Sequence, residues 1–141
     1  MKIAKIIPIL LLTILLSCKK DDNHPVPVVV VNEYININLP SYSSLLSVGG
    51  WAYINGGNKG IFVYRQSIDV FMAYDRMSPS VGGAECDPIY YDEDNGIILV
   101  DECTNSTFSA IDGGLLSGDA QYPLRGYNTS FDGINTLRVY N

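Results

Sequence analysis

The stretch NEYININL, residues 32–39, decides the fold class because its apolar and polar side chains alternate. A β-strand points successive side chains to opposite faces, so a pattern of period two indicates a strand with one buried face. Ile35, Ile37 and Leu39 are predicted to share the buried face, and Tyr34 is predicted to lie on the other one. The folded part of the chain is therefore predicted to begin with a half-buried β-strand.

Short runs of the same kind recur along the rest of the chain. They are rich in Tyr, Ile, Val and Phe, which favour strands, and turn residues separate them. The predicted strands are residues 51–55, 61–65, 70–74, 97–100 and 136–140. Helical spacing is scarce, and residues 41–48 are expected to form one helical turn. The chain is predicted to be all-β with antiparallel pairing. Trp51 and the ten tyrosines are interpreted as cross-strand aromatic pairs in preference to a sugar-binding platform.

Two polar stretches are predicted to be turns. NGGNKG, residues 55–60, supplies glycines for the positive φ angles that a hairpin needs. DEDNG, residues 92–96, has alternating carboxylates like the start of a calcium-binding loop. That loop needs glycine at position six and glutamate at position twelve, whereas Gly96 falls at position five and Cys103 at position twelve. We interpret this stretch as a solvated acidic turn.

The first residues of the chain have the features of an export signal. Lys2 and Lys5 precede an apolar run at residues 6–16, which is about half the roughly 20 residues that a membrane-spanning helix needs. Such a segment is removed after export and contributes nothing to the fold. Residues 1–17 are therefore predicted to be a signal peptide.

The sequence LLSC, residues 15–18, resembles a bacterial lipobox, in which small residues precede a cysteine that is acylated and becomes the new N-terminus. The resemblance implies that acyl chains on Cys18 anchor the protein to a membrane without crossing it. Residues 18–31 are then a lipidated N-terminus and tether, and residues 32–141 are the β-domain. An ordinary secretory signal with a chance cysteine is the alternative.

The charges bear on where the protein lies and what it binds. KKDD, residues 19–22, resembles the charged stretch that follows the acylated cysteine in lipoproteins of some Gram-negative outer membranes. This implies an outer-membrane anchor in the cell envelope, facing either the periplasm or the outside. Loss of Lys2 and Lys5 leaves seven of the nine basic residues against fifteen acidic ones, a net charge near −8. A basic stripe is absent, which argues against a nucleic-acid partner.

Residues 78–80 read Ser-Pro-Ser, and residues 101–108 read DECTNSTF. These two stretches resemble the loops that hold the [2Fe–2S] cluster of Rieske proteins. In that family the first loop often reads Cys-Pro-His. The second loop of the family reads Cys-Pro-x-His-Gly-Ser-x-Phe, and Ser106 and Phe108 match its Ser and Phe. That register puts Asp101 at the cysteine position and Thr104 at the histidine position.

The resemblance extends over most of the β-domain. The hairpin IFVYRQSIDVFMAYDR, residues 61–76, is similar to the one that precedes the first cluster loop, and Asp119 replaces the family's usual proline. Further matches downstream of the second loop are Gly113, Gly118, Ala120, Pro123, Leu124 and Tyr127. The fold that the resemblance implies is an antiparallel, Rieske-like β-sandwich or barrel with a former cluster-binding subdomain of two loops.

The ligands of the cluster are missing from this sequence. A Rieske site needs two cysteines and two histidines, one of each from either loop. Ser78, Ser80, Asp101 and Thr104 stand at those positions, and the whole chain contains one histidine, His24 in the tether. Hydroxyl and carboxylate oxygens are poor substitutes for thiolate and imidazole at such a site. We therefore expect no cofactor and no metal.

Cys86 and Cys103 are predicted to form a disulfide. Thiols of exported proteins tend to pair, and acylation of Cys18 leaves these two. The resemblance also gives Cys103 a place, because it falls on the x of Cys-Pro-x-His, where respiratory Rieske proteins carry one of two cysteines that bridge the cluster loops. A redox-active pair is the alternative, although the chain has no Cys-x-x-Cys motif.

These features predict a protein that is not an enzyme, because the single histidine lies in the tether and leaves no imidazole base for a nucleophile. We interpret the protein as a noncatalytic, lipid-anchored module. Its former cluster tip, residues 78–80 and 101–104, is structural or contacts a protein partner. One alternative is a Rieske-type electron-transfer protein that uses an unusual metal or the cysteine pair. Another is an unrelated β-sandwich lipoprotein, in which the two loops have no reason to lie side by side.

Overall fold

A computed structural model of the chain describes residues 23–141, which contain ten β-strands and two short 3-10 helices. The predicted signal peptide and Cys18 lie outside the described residues. The strands are β1 (Asn32–Asn36), β2 (Trp51–Ile54), β3 (Ile61–Arg65), β4 (Phe71–Asp75), β5 (Tyr90–Asp92), β6 (Ile98–Asp101), β7 (Ser106–Ser109), β8 (Leu115–Ser117), β9 (Gly126–Phe131) and β10 (Thr136–Tyr140). The 3-10 helices are Pro40–Leu46 and Gly83–Glu85.

The strands pair in two antiparallel sheets, which confirms the predicted all-β class. One sheet has six strands in the order β1-β10-β9-β4-β3-β2, and the other has four in the order β5-β6-β7-β8. The sheets are curled and form a half-barrel, as expected for an antiparallel β-sandwich or barrel. The four-stranded sheet is a simple meander, in which each strand pairs with its neighbour in sequence.

β3 is buried on both faces, and it divides the core in two. Val63 faces a cluster that includes Leu137 and fills the inside of the curled six-stranded sheet. Phe62 faces a second cluster, in which Leu99 and Phe108 of the four-stranded sheet pack against the other face. Two buried faces explain why β3 is apolar throughout instead of alternating. The second cluster attaches the four-stranded sheet to the rest of the domain.

The four-stranded sheet is an insertion at one end of the six-stranded sheet, which we call the insertion end. Residues 76–125 lie between β4 and β9 in sequence, and these two strands are neighbours, with Tyr74 opposite Gly126. The start of β1 lies at the same end, because Asn32 is opposite Tyr140 and β10 ends beside the start of β9. The β3–β4 and β9–β10 turns lie at the opposite end.

Local pattern located six of the ten strands. The four that it missed, β5, β7, β8 and β9, are short or polar, and pairing with their neighbours gives them their conformation. The expectation that Leu39 shares the buried face of Ile35 and Ile37 is wrong, since Leu39 is 51% exposed. β1 ends at Asn36, and the chain turns into the first 3-10 helix at Pro40.

Part of the segment assigned to the tether is packed on the domain. Val26 is completely buried, and its carbonyl accepts a hydrogen bond from Arg125 Nε at 2.6 Å. The carbonyl of Pro27 accepts one from Asn58 Nδ2 at 2.9 Å. Near β1, the Asn141 side chain bonds the backbone of this segment. Side chains of the domain therefore form hydrogen bonds with the backbone of this extended segment, which has no strand partner. The segment packs as part of the domain.

Replacing Val26 by Ala is expected to lower the free energy of unfolding by about 1–3 kcal/mol, because the side chain is completely buried. Val28→Ala is the matched control, since Val28 lies two residues away and is 66% exposed. That control is expected to change stability by no more than ~0.5 kcal/mol. Denaturant unfolding measures both, and equal effects would contradict the docking of this segment.

Candidate functional site

The carboxylate of Asp75 holds the first loop, residues 76–86, at the end of β4. Its Oδ1 accepts a hydrogen bond from Met77 N at 2.9 Å, and its Oδ2 accepts from Asn58 N at 2.7 Å and from Tyr127 Oη at 2.6 Å. Asp75 is 1% exposed. Burial, and then the hydrogen bond to this carboxylate, raise the pKa of Tyr127. The first loop therefore starts directly after a buried residue, Asp75, whose carboxylate accepts several hydrogen bonds.

Sequence reasoning did not single out Asp75 or its partner Asn58. The sequence does contain an indication of its role, because Asp75 directly follows the apolar residues FMAY. A carboxylate at the end of a buried strand needs several hydrogen-bond donors. The hairpin turn supplies them. Gly57 has a φ of +64°, and a Cβ at this position would lie 2.7 Å from Asp75 Oδ2. Only glycine lets the turn approach the carboxylate so closely.

Asp101 organises the second loop, residues 101–106, at the end of β6. Its Oδ1 accepts a hydrogen bond from Cys103 N at 3.0 Å, and its Oδ2 accepts from the Thr104 hydroxyl at 2.8 Å. An aspartate that bonds the backbone two residues ahead is a common turn former. Asn105 has a φ of +47°, a left-handed conformation that asparagine tolerates. Asp101 is 1% exposed, so its carboxylate depends on these donors.

A hydrogen bond between Ser78 and Asp101 joins the two loops. The completely buried Ser78 hydroxyl donates to Asp101 Oδ2 at 2.6 Å, and Ser80 Oγ lies 2.8 Å from Ser78 Oγ. Because the one Ser78 proton goes to the carboxylate, Ser80 donates to Ser78. The structure thus brings Ser78, Ser80, Asp101 and Thr104 into one network. The two loops lie side by side at the insertion end.

Ser106 extends this network to a third segment. Its Oγ lies 2.8 Å from Thr104 Oγ1 and accepts a hydrogen bond from Ala120 N at 2.9 Å. Gly118 packs directly on the second loop, with a φ of +100°. A Cβ on Gly118 would lie 2.4 Å from Asn105 O, so a larger residue would push the turn away. The turn that contains Gly118 therefore closes over the second loop.

The predicted disulfide between Cys86 and Cys103 is confirmed. The Cα atoms are 5.7 Å apart, and the bond joins the end of the first loop to the second loop. Cys86 is 9% exposed, whereas Cys103 is exposed. Both line a cleft of about 290 Å³ whose other walls include Glu85, Asp87 and Glu102. The disulfide therefore borders an acidic cleft at the insertion end.

The donors of this network do not fit the [2Fe–2S] cluster that the resemblance implies. The four positions offer three hydroxyls and one carboxylate where the cluster takes thiolates and imidazoles, and each is bonded to a neighbour. Among residues 23–141, no three His, Cys, Asp or Glu side chains form a group that could hold a metal ion.

His24 does not supply the missing imidazole. Its Nδ1 accepts a hydrogen bond from Val26 N at 3.2 Å, and its Nε2 lies 2.8 Å from the carbonyl oxygen of Pro123. A neutral imidazole with its proton on Nε2 satisfies both contacts, so both ring nitrogens are engaged in holding the N-terminal segment. The one histidine of the chain is therefore a packing residue at the insertion end.

The network also lacks the arrangement of a nucleophilic site. Ser78 is completely buried and Asp101 is 1% exposed, so a substrate carbonyl does not reach the hydroxyl. The carboxylate bonds the serine directly, whereas serine activation needs a base such as imidazole between them. What this arrangement does is cross-link the loops. Buried hydroxyls that are fully paired with a carboxylate are typical of a structural network.

Packing accounts for two other features of the sequence. Asp92 accepts a hydrogen bond from Asn95 Nδ2 at 2.6 Å, which is the main cause of the lowered pKa of Asp92. The acidic turn is thus bonded within itself. Trp51 packs against Tyr53 and Tyr91, with ring centroids 5.0 Å and 4.9 Å apart. These rings join the two sheets as part of the second cluster.

No protein-family model matches this chain, and a search of curated proteins finds no significant match. In the part of the chain that the structure describes, no helix is long and apolar enough to cross a membrane. The proposed function therefore rests on the hydrogen-bond network, the disulfide and the sequence patterns.

Replacing Asp101 by Ala is expected to lower the free energy of unfolding by about 2–4 kcal/mol, because donors from Ser78, Cys103 and Thr104 lose their acceptor. Asp101→Asn keeps one acceptor oxygen and is expected to cost less. The control is Asp94→Ala at the exposed acidic turn. Denaturant unfolding of the oxidised proteins measures the difference, and an Asp101→Ala variant as stable as the control would contradict a structural network.

Removing the disulfide is expected to lower stability by around 3 kcal/mol in the chain-entropy model, since the paired cysteines are 17 residues apart. The comparison is the wild-type protein with the Cys86→Ser, Cys103→Ser double variant, each with and without dithiothreitol. The reductant should destabilise the wild type alone. A double variant that unfolds at the wild-type midpoint would contradict a structural role.

Proposed function

We propose that this protein is a noncatalytic, lipid-anchored module of the Gram-negative cell envelope. Its Rieske-like scaffold has lost the ligands of the iron–sulfur cluster, and side-chain hydrogen bonds and a disulfide hold the loops instead. One observation carries the proposal: Ser78 and Asp101, which stand at the two cysteine positions of the resemblance, are hydrogen-bonded at 2.6 Å. In Rieske proteins those two positions bind the same iron.

The remaining positions follow the same logic. Ser80 and Thr104 stand at the two histidine positions, and each bonds the residue at the cysteine position of its own loop. Where a cluster would join the loops through the metal, this protein joins them through a buried hydrogen bond and through the Cys86–Cys103 bond. The scaffold thus keeps its loops in place without the chemistry of electron transfer.

The anchoring part of the proposal comes from the sequence. The lipobox-like LLSC at residues 15–18 and the charged residues 19–22 support acylation of Cys18 and attachment to the outer membrane, facing either the periplasm or the outside. A mature charge near −8 supports a partner other than nucleic acid. The partners that we propose are the membrane, through Cys18, and a protein at the former cluster tip.

An electron-transfer role through the cysteine pair is the second candidate. The observation in its favour is that Cys103 is an exposed residue and lines the acidic cleft together with Cys86. Trapping of thiols with an alkylating reagent in intact cells separates the two candidates. A structural disulfide is expected to stay unmodified, and a substantial alkylated fraction would favour the redox role.

Restoring the four ligands tests the proposed scaffold. The quadruple variant Ser78→Cys, Ser80→His, Asp101→Cys, Thr104→His is expected to bind iron and acid-labile sulfide. On reduction it should show the electron-paramagnetic signal of a histidine-ligated [2Fe–2S] centre, whereas the wild type should not. A quadruple variant that keeps the wild-type circular dichroism but binds no iron would overturn the Rieske-like interpretation. Stoichiometric iron in the wild-type protein would overturn the proposal that the cluster has been lost.

Fractionation of cells tests the anchor. The wild-type protein is expected in the outer-membrane fraction with a mass that includes acyl chains on its first residue, and Cys18→Ala is expected to lose both the lipid and the membrane attachment. Protease added to intact cells then distinguishes the two faces of the membrane. A wild-type protein that is released in soluble form with Cys18 unmodified would contradict the lipoprotein assignment.

A further inference from the structure

The N-terminal segment enters the domain at the insertion end. His24 contacts the carbonyl of Pro123, and Val26 is buried beneath the Arg125 hydrogen bond. The first loop lies on the other side of the segment. A cleft of about 370 Å³ is lined by Pro25 and Pro27 on one side and by residues 80–84 on the other. The chain that leads back to Cys18 therefore departs next to the first loop.

The link between Cys18 and this docked segment is short. Five residues, 19–23, lie between Cys18 and His24, so even a fully extended link spans at most about 20 Å. A domain of this length is roughly 35 Å across, from the usual scaling of size with chain length. The link is thus shorter than the domain is wide. An acylated Cys18 in the bilayer would hold the insertion end on the membrane side, and the opposite end would face away.

The surface of the first loop suits a neutral lipid surface. Residues 77–84, MSPSVGGA, contain no charged side chain. Val81 is 97% exposed at the tip, and Gly82 follows it in a left-handed turn with a φ of +82°. The acidic cleft beside the disulfide is lined by Glu85, Asp87 and Glu102 and by none of residues 77–84. A net charge near −8 is repelled by anionic lipids, so contact through residues 77–84, the uncharged part of the first loop, favours zwitterionic headgroups.

We infer that in the anchored protein the first loop lies on the bilayer, with Val81 in contact with zwitterionic lipid headgroups. This inference rests on the proposed acylation of Cys18 and names the lipid surface as the partner of Val81. The proposed protein partner is then left residues 101–104, the part of the former cluster tip in the second loop. The apolar side chain at the tip and the short link act together, because the link keeps the loop at a high local concentration near the surface. The loop supplies the contact and sets the orientation of the domain.

The test measures depth in vesicles. The full acylated chain is reconstituted in phosphatidylcholine vesicles that contain spin-labelled lipids, and a thiol-reactive fluorophore is attached through Val81→Cys. The matched control is Ile134→Cys, because Ile134 is 78% exposed in the β9–β10 turn at the opposite end. A second control is Ile68→Cys in the β3–β4 turn, where Ile68 is 70% exposed. One free thiol per molecule verifies that the Cys86–Cys103 bond is intact.

Quenching at residue 81 is expected to be severalfold stronger than at residue 134 or residue 68, with a blue-shifted emission at residue 81 alone. Equal quenching at the three positions in protein that carries its acyl chains would overturn the orientation and leave the proposed anchor intact. Protein that lacks acyl chains and fails to sediment with vesicles would overturn the anchor itself. Mass spectrometry and sedimentation therefore separate the failure of the proposed function from the failure of this inference.

Discussion

A buried carboxylate needs a donor at each of its acceptor positions, and Asp101 obtains its donors from two different loops. The Cys103 amide and the Thr104 hydroxyl come from its own loop, and the Ser78 hydroxyl comes from the other. Because a buried carboxylate without hydrogen-bond donors lowers the stability of the fold, these bonds fix the position of the two loops relative to each other. The position of the disulfide and of the turn around Gly118 follows from that arrangement.

The same constraint explains how side chains alone hold the two loops together. A cluster fixes its loops through strong bonds to a few side chains, and its loss would leave buried polar positions without partners. In this chain those positions carry three hydroxyls and one carboxylate that satisfy one another. The disulfide adds a covalent link between the same loops. Hydrogen bonds and one covalent bond thus link the two loops, which is the structural role that a cluster has in the family that the sequence resembles.

The topology concentrates the features that bear on function at one end of the molecule. The insertion between β4 and β9, the docked segment around Val26 and the side chain of Asp75 meet there. The opposite end consists of two short turns and the connection between β1 and β2, which contains the 3-10 helix Pro40–Leu46. In the anchored protein that we propose, the short connection from Cys18 would keep the insertion end near the lipid.

The sequence by itself determined the all-β class, the antiparallel pairing and the identity of the paired cysteines, because alternation is a local property and the chain contains three cysteines. Only the tertiary structure decided that β3 is buried on both faces, that Val26 belongs to the domain and that Ser78 contacts Asp101. The tertiary structure also determined that β5, β7, β8 and β9, which are short or polar, form strands. The physical reason is that these features depend on partners far away in the chain. Local periodicity states which face of a segment is apolar, but it does not state which distant segment will cover that face or satisfy its polar groups.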